Sequence, residues 1–412
     1  MQENNRKKIL IVFPGVLFPV SGMSQVRAIQ QIKSLGRSFI VDLFFIAKSH
    51  KDAEVHRKEL EGFCRNIHYT LHPKYSYGKL YKMLFAVKNR LFLSLFGMPA
   101  DFQYYSDKKV RSAITDTAIN NNYHLILAHY WHVCSFMKDI PTGILKAIDT
   151  HYVVEENIEI FEKGLYEKGS AKRTRKELFF SRKKQHEFFR VADILIFNSS
   201  RQFDILKDKL AGKILNVTPN GQELEPFLSY PSGEPEKILL FYGAMGNQFN
   251  LKAIKVLVNE IIPKLKEKIK DLKVMFVGNK PPDWLKKMDN GGDFIVTGFV
   301  EDIRPYLSRS FLCLMPLTTA SGFRGRTIEL MSMGVPVIGT HNALDSVGFK
   351  DGEEGFITDD TDRMVEIAVN LFNDPSERRR ISENAKRFVR ENYTLEATFG
   401  KLSAFLEETI KT

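Results

Sequence analysis

Two hydrophobic rhythms alternate along the chain. Short runs of consecutive apolar residues are followed by longer stretches in which apolar positions recur at helical spacing. That alternation marks a parallel sheet covered by helices on both faces. It predicts strands over Lys8–Phe13, Phe39–Ile46, His124–Ala128, Ile144–Ile148 and Ile194–Phe197, with a helix over Gln25–Leu35 after the first. The pattern then restarts, with strands over Lys237–Tyr242, Lys273–Val277, Phe294–Val296, Phe311–Leu314 and Val335–Ile338. A helix over Leu251–Ile269 is expected to break its regularity at Pro263, which brings no N–H to the helical ladder. Thr361–Leu371 and Pro375–Glu391 read as closing helices.

Between the two series, Pro219-Asn220-Gly221 and Pro231-Ser232-Gly233-Glu234-Pro235 interrupt both rhythms. The expected architecture is α/β, with two Rossmann-like domains facing each other across a cleft. Residues 1–222 are expected to form the first domain and 223–394 the second, while 395–412 are expected to form a last helix packing back toward the first domain. Clefts of this kind are favoured ligand sites.

One segment keeps neither rhythm. Lys74–Phe96 interleaves Tyr75, Tyr77, Tyr81, Phe85, Phe92 and Phe96 with Lys74, Lys79, Lys82, Lys88 and Arg90. Lys163–Arg190 is a second basic stretch. An aromatic stripe at helical spacing reads first as core. The other reading is docking on anionic lipid or on a lipid-linked acceptor.

Composition narrows the classes. A 412-residue chain with 43% hydrophobic and 26% charged residues is globular and long enough for two cores. The net charge of +11 favours an anionic partner. Cys64, Cys134 and Cys313 are too few and too far apart for a disulfide framework or a thiolate metal site. Arg6-Lys7-Lys8 before Ile9–Phe13 imitates a secretory signal, but Pro14, Gly15 and Pro19 interrupt the apolar run. No run reaches the roughly 18 apolar residues of a membrane span. The chain is therefore expected in the cytoplasm, with peripheral contact at the inner face of the cytoplasmic membrane.

The chemistry concentrates in Thr318–Thr340, TTASGFRGRTIELMSMGVPVIGT. A strand leads through a Gly-rich turn into a helix starting near Gly325, with Arg324 and Arg326 beside its free N–H groups. That combination makes an anion site suited to phosphate. Glu329 follows Arg326 by one turn, where its carboxylate can accept from two vicinal ribose hydroxyls. Together these residues specify a nucleoside diphosphate. The turn after the first strand, Gly15–Gly22, lacks the GxGxxG spacing of a dinucleotide dehydrogenase.

The segment resembles the donor-binding motif of retaining glycosyltransferases of family 4, which have the GT-B fold. Arg326 stands at the basic phosphate-binding position, Glu329 at the ribose carboxylate, and Gly334, Pro336 and Val337 at the turn and strand that follow. Phe241-Tyr242-Gly243 with Asn250, Phe276-Val277-Gly278, Thr297-Gly298-Phe299-Val300 and Asp302–Tyr306 fall in family order, as does Pro219-Asn220-Gly221 after Phe197–Ser200. The resemblance implies transfer of a sugar from a nucleoside diphosphate sugar to a hydroxyl with retention, in cell-surface polysaccharide or glycoconjugate assembly. No metal or other cofactor is implied, and no nucleic acid partner. The acceptor is expected to be a sugar or a lipid-linked sugar.

By the same resemblance, Arg324, Arg326 and His151 are the catalytic candidates. Gly22, Gly243, Lys252, Ser321, Gly322, Phe323, Gly325, Thr327 and Glu329 are the donor-binding ones. Arg27, His129 and His132 are expected on the acceptor side. A metal reading of His129 with His132 lacks a completing carboxylate or cysteine nearby. Two departures stand out: Ser321 replaces a glutamate common in the family, and Ala244–Gln248 supplies no arginine, so Lys252 stands for the family's lysine and Arg324 offsets the missing charge. They motivate a non-enzyme alternative, a nucleotide-binding scaffold that kept the fold without turnover. A sugar-nucleotide epimerase sharing the fold matches the motif less well.

Overall fold

The computed structural model describes residues 6–76, 78–162, 175–231, 233–317 and 325–411. They form two compact units, one of residues 1–221 with 398–412 and one of residues 222–397.

Unit 1 is built on seven parallel strands: β1 (Lys8–Phe13), β2 (Ile40–Ala47), β3 (Asn66–Leu71), β4 (Leu125–His129), β5 (Leu145–Asp149), β6 (Ile194–Phe197) and β7 (Ile214–Val217), in the order β3-β2-β1-β4-β5-β6-β7. Ile9, Leu10, Ile11 and Val12 of β1 are fully buried, because helices cover both faces of the sheet. Each such side chain contributes about 1.5–3 kcal/mol of burial. Helix α1 (Met23–Ser38) follows β1 and buries Arg27 and Gln31 along with Ala28, Ile32 and Leu35.

Two further helices of unit 1 matter below, α2 (Lys79–Phe96) and α3 (Arg175–Val191). Residues 163–174 of the expected basic stretch lie outside the described residues. The core reading of the aromatic stripe holds at Phe85 but not at Tyr75 or Phe96, which are exposed. Phe85 is buried, but Leu84, Val87, Leu91 and Leu95 are all more than half exposed.

The chain returns to unit 1 after residue 397. Phe399 is fully buried, with the Arg27 guanidinium 5.5 Å from its ring centroid. A Cβ on Gly221 would meet Thr398 Oγ1 at 2.0 Å, and Asn220 Oδ1 accepts from Arg27 Nη1 at 2.9 Å. Close packing against α1 and residues 398–399 thus accounts for the Asn-Gly pair of the Pro219 motif.

Unit 2 has six parallel strands: β8 (Ile238–Tyr242), β9 (Lys273–Val277), β10 (Phe294–Gly298), β11 (Leu312–Met315), β12 (Val337–Gly339) and β13 (Phe356–Ile357), in the order β10-β9-β8-β11-β12-β13. Helix α4 (Gln248–Val256) passes through a π-helical turn, Leu257–Ile261, into Ile262–Lys268. The irregularity expected at Pro263 is thus a wider turn just ahead of the proline, which accommodates its missing donor. Helix α5 (Gly325–Ser332) follows β11, and α6 (Pro375–Tyr393) packs against it. Among the described residues no helix is long and apolar enough to cross a membrane.

In both sheets the strand order reverses once, between β1 and β4 in unit 1 and between β8 and β11 in unit 2. At such a point the connections leave to opposite faces and open a crevice at the carboxyl ends of the strands. In unit 2 two glycines shape that crevice. A Cβ on Gly278, at φ +148°, would lie 1.9 Å from the carbonyl oxygen of Gly243. Gly278→Ala is therefore expected to destabilise unit 2 by roughly 2 kcal/mol or more. Chemical denaturation of the purified variant measures this; an unchanged midpoint would contradict the packing argument.

Candidate functional site

In unit 2 the crevice holds Arg326. Its Nη1 donates to the Tyr242 carbonyl at 3.0 Å and its Nη2 to Asn250 Oδ1 at 3.1 Å. A Cβ on Gly243 would meet that Nη1 at 1.9 Å, so only glycine at the end of β8 leaves room for the guanidinium. Asn250 is fixed in turn by donating to the Ala244 carbonyl at 2.8 Å. Among the described residues no carboxylate forms a salt bridge with Arg326. Burial pulls its pKa down, yet a guanidinium keeps its proton at any working pH. The site therefore carries a positive charge held by neutral acceptors.

One turn along α5, Glu329 Oε2 accepts from the Tyr242 hydroxyl at 2.9 Å. Burial raises the Glu329 pKa, against the opposing hydrogen bond from Tyr242 and the charge of Arg326. Tyr242 thus touches both partners, its carbonyl holding Arg326 and its hydroxyl holding Glu329. The structure brings Gly243, Arg326 and Glu329 together, with Gly325 at the first turn of α5.

Two donor-side candidates lie apart from the Arg326 cluster. Lys252 is exposed, two residues beyond Asn250 and so about 200° around α4 from the side chain that reaches Arg326. Thr327 is fully buried, its hydroxyl 3.9 Å from Met315 Sδ, so its side chain belongs to the core. Ser321, Gly322, Phe323 and Arg324 lie outside the described residues.

Unit 1 brings together a different set. Arg27, 1% exposed, donates from Nε to both carboxylate oxygens of Asp149 at 3.1 and 2.9 Å, and Gln31 Nε2 donates to Asp149 Oδ2 at 3.1 Å. Burial pushes the Asp149 carboxyl up, but the Arg27 guanidinium outweighs it and holds it below the usual carboxylate range. His129 Nδ1 and His151 Nε2 are 2.8 Å apart, with His151 Nε2 4.0 Å from Asp149 Oδ1. Burial pushes His129 down to about 4 and His151 well below its ordinary value, so both are neutral near pH 7.

The carboxylate missing from the metal reading is thus Asp149, and it groups with His129 and His151 rather than with His132. Its oxygens are already taken by Arg27 and Gln31, and the two imidazoles stand at hydrogen-bond separation. An adjacent guanidinium would also repel a cation. These donors are better matched to an internal charge cluster than to a metal.

The cluster supports a pocket rather than lining it. A cavity of about 710 Å³ opens where β1 and β4 diverge, walled by Tyr105, Tyr130, Trp131, His132 and Tyr152, with Gly22 at its mouth. Lys48 and Glu177 are the only charged residues among the described ones that line it. Tyr130 stacks on His151 at 4.0 Å between ring centroids, and the His151 side chain is only 6% exposed. His132 stacks on Tyr105 at 5.1 Å. Both Tyr130 (φ +68°) and His151 (φ +55°) hold a left-handed backbone, strain of roughly 1 kcal/mol or more each that the surrounding packing supports. The N–H of Gly22 donates to Gln25 Oε1 at 3.0 Å, so that amide is spent within the loop instead of pointing to a ligand.

Residues 236–374, within unit 2, match the family model of group 1 glycosyl transferases. That segment is similar to the group 1 glycosyl transferases. Over 96% of its length the chain is 20% identical to an uncharacterized 44.6 kDa protein in a cps region of Klebsiella pneumoniae, covering 98% of that protein. The whole structure is similar to a sucrose-phosphate synthase from Thermosynechococcus elongatus, with a TM-score of 0.64, 17% identity and coverage of 98% and 100% of the two chains. Anabaena HepE in complex with UDP gives a TM-score of 0.64 at 13% identity, with coverage of 97% and 100%. At these identities the structural likeness establishes the GT-B fold, two Rossmann-like domains of parallel sheet. The matched segment contains every residue of the Arg326 cluster.

Sequence reasoning passed over Gln31 and left Tyr242, Asp149 and Asn250 without a role. Gln31 follows Arg27 by one helical turn, and Asp149 ends an apolar strand. Both positions signal a buried polar contact. Tyr242 carried no signal beyond standing before Gly243.

The unit 1 cluster predicts a pH dependence. A histidine at about 4 in the folded state and 6.5 unfolded supplies stability that is complete above pH 6.5 and lost as pH falls toward 4, because the unfolded chain takes the proton first. At about pH 5 His129 alone costs about 2 kcal/mol. Thermal melts between about pH 7.5 and 5 should show the decline, reduced in His129→Asn. Equal declines in both proteins would assign the effect elsewhere.

Proposed function

We propose that this protein is a glycosyltransferase that moves a sugar from a nucleoside diphosphate sugar to an acceptor hydroxyl, with retention of anomeric configuration. The observation that carries the reading is Arg326, half-buried in the crevice of unit 2 with no salt-bridging carboxylate among the described residues, one turn from Glu329. A diphosphate supplies the missing negative charge, and Glu329 receives the ribose hydroxyls in place of Tyr242. UDP bound to HepE, a protein of the same fold, supports that choice of ligand class.

In the proposed step the acceptor oxygen bonds to the anomeric carbon as the bond from that carbon to the diphosphate oxygen breaks. The departing phosphate takes the acceptor's proton on the same face. Negative charge grows on the leaving diphosphate, where Arg326 and the N-terminus of α5 stabilise it. No metal is required for that neutralisation. The aromatic, nearly uncharged pocket of unit 1 suits a sugar-containing acceptor, whose C–H faces pack on aromatic rings while its hydroxyls bond at their edges. His151 acts there as a positioning residue, through the Tyr130 ring stacked on it. The Klebsiella relative's place in a cps region supports a role in cell-surface polysaccharide or glycoconjugate assembly in the cytoplasm.

The test is a binding and transfer panel of UDP-, GDP- and ADP-sugars. One nucleotide class should bind, with affinity reduced about 100-fold in Arg326→Ala and about tenfold in Glu329→Ala. Binding that neither substitution weakens would overturn the site. Tight binding without hydrolysis or transfer, over a broad acceptor set, would favour the scaffold reading.

A further inference from the structure

Helix α2 is amphipathic in the wrong sense for a helix on a core. Met83, Leu84, Val87, Leu91, Leu95 and Phe96 are exposed at 59, 58, 64, 53, 58 and 59%. Four of them, Leu84, Val87, Leu91 and Leu95, follow each other at three- and four-residue steps and so form one continuous stripe. A surface helix ordinarily turns such a stripe inward, and an exposed apolar patch of this kind marks a contact face. Its flanks are cationic: from Lys74 to Met98 the chain has five lysines and arginines and no acidic residue.

The stripe runs into a groove. Gly97 ends α2 at φ +68°, and a Cβ there would lie 2.5 Å from the backbone carbonyl of Lys176, so the end of α2 sits directly on the first turn of α3. Where the helices meet, a groove of about 730 Å³ has an apolar floor including Phe96, Met98, Phe179 and Phe180 and a rim including Arg175 and Lys183. No carboxylate is among the described residues lining it. The Arg175 and Arg182 guanidinium groups lie 5.5 and 4.8 Å from the Phe179 ring centroid. Apolar side chains ringed by cations match the layers of an anionic bilayer, acyl chains beneath phosphate headgroups.

We infer that α2 and the α2–α3 groove dock unit 1 on an anionic phospholipid membrane surface. Helix α3 links this face to the aromatic pocket. Lys176, Phe179 and Lys183 border the groove, whereas Glu177, Leu178 and Ser181 of the same helix line the pocket. On the acceptor reading above, a membrane-borne acceptor therefore arrives one helix away from the pocket that receives it.

The experiment is co-sedimentation of the full chain with phosphatidylcholine vesicles, with and without phosphatidylglycerol. Binding should require phosphatidylglycerol and weaken as salt is raised. Partitioning should fall by about tenfold or more in a triple Leu84→Ser, Val87→Ser, Leu91→Ser variant and in a double Arg175→Glu, Lys183→Glu variant. Neither set touches the Arg326 cluster, so nucleotide binding and the melting temperature serve as controls. Failure of vesicle binding is thereby distinguishable from failure of the transferase reading. Absent binding, equal binding to neutral vesicles, or binding that both variants retain would overturn the inference. A dimer that the serine variant dissolves, without vesicle binding, would assign the face to a second copy of the chain.

Discussion

A half-buried guanidinium held by neutral acceptors, with no salt-bridging carboxylate among the described residues, is the constraint around which unit 2 is arranged. Taking a charge out of water costs several kcal/mol unless hydrogen bonds replace the lost hydration, and arginine cannot escape by giving up its proton. The unit meets that cost with neutral acceptors, the Tyr242 carbonyl and Asn250 Oδ1, and with a glycine at position 243 that lets the guanidinium approach the strand end. Gly278 packs against Gly243 in turn, so the ends of two neighbouring strands are shaped by one side chain. An arrangement that leaves the charge uncompensated is a poor device for stability and a good one for binding an anion.

Unit 1 solves a similar problem the other way. Arg27 is more deeply buried than Arg326, but Asp149, Gln31 and Asn220 neutralise and saturate much of it within the fold. Its charge is therefore spent internally, and the neutral histidines beside it carry the aromatic wall of the pocket. The contrast separates two arginines that look alike in sequence. One is a structural ion pair beneath a largely aromatic pocket, and the other is, on the function proposed above, a cation presented to a ligand.

Much of this was legible before any coordinates. Strands covered on both faces, such as β1, β4 and β8, announce themselves as unbroken apolar runs, and the structure places them within a residue or two of the expected bounds. Three edge strands, β3, β7 and β13, were missed because they are short or only half buried, so neither alternation nor a continuous run marks them. The Arg326–Glu329 pair was legible from helical spacing alone. Tyr242, which joins the two, was not, since its role comes from the strand-to-helix geometry at the switch point. The α2 stripe misled because periodicity reports that a face is apolar, and only packing reports what covers it.

The most direct test of the account compares a nucleoside diphosphate with its 2′,3′-dideoxy counterpart, titrated calorimetrically into the protein and into Glu329→Gln. If Glu329 receives the ribose hydroxyls beside a diphosphate held by Arg326, losing the hydroxyls weakens binding about tenfold in the unaltered protein and hardly at all in the variant. An equal loss in both proteins would contradict that assignment.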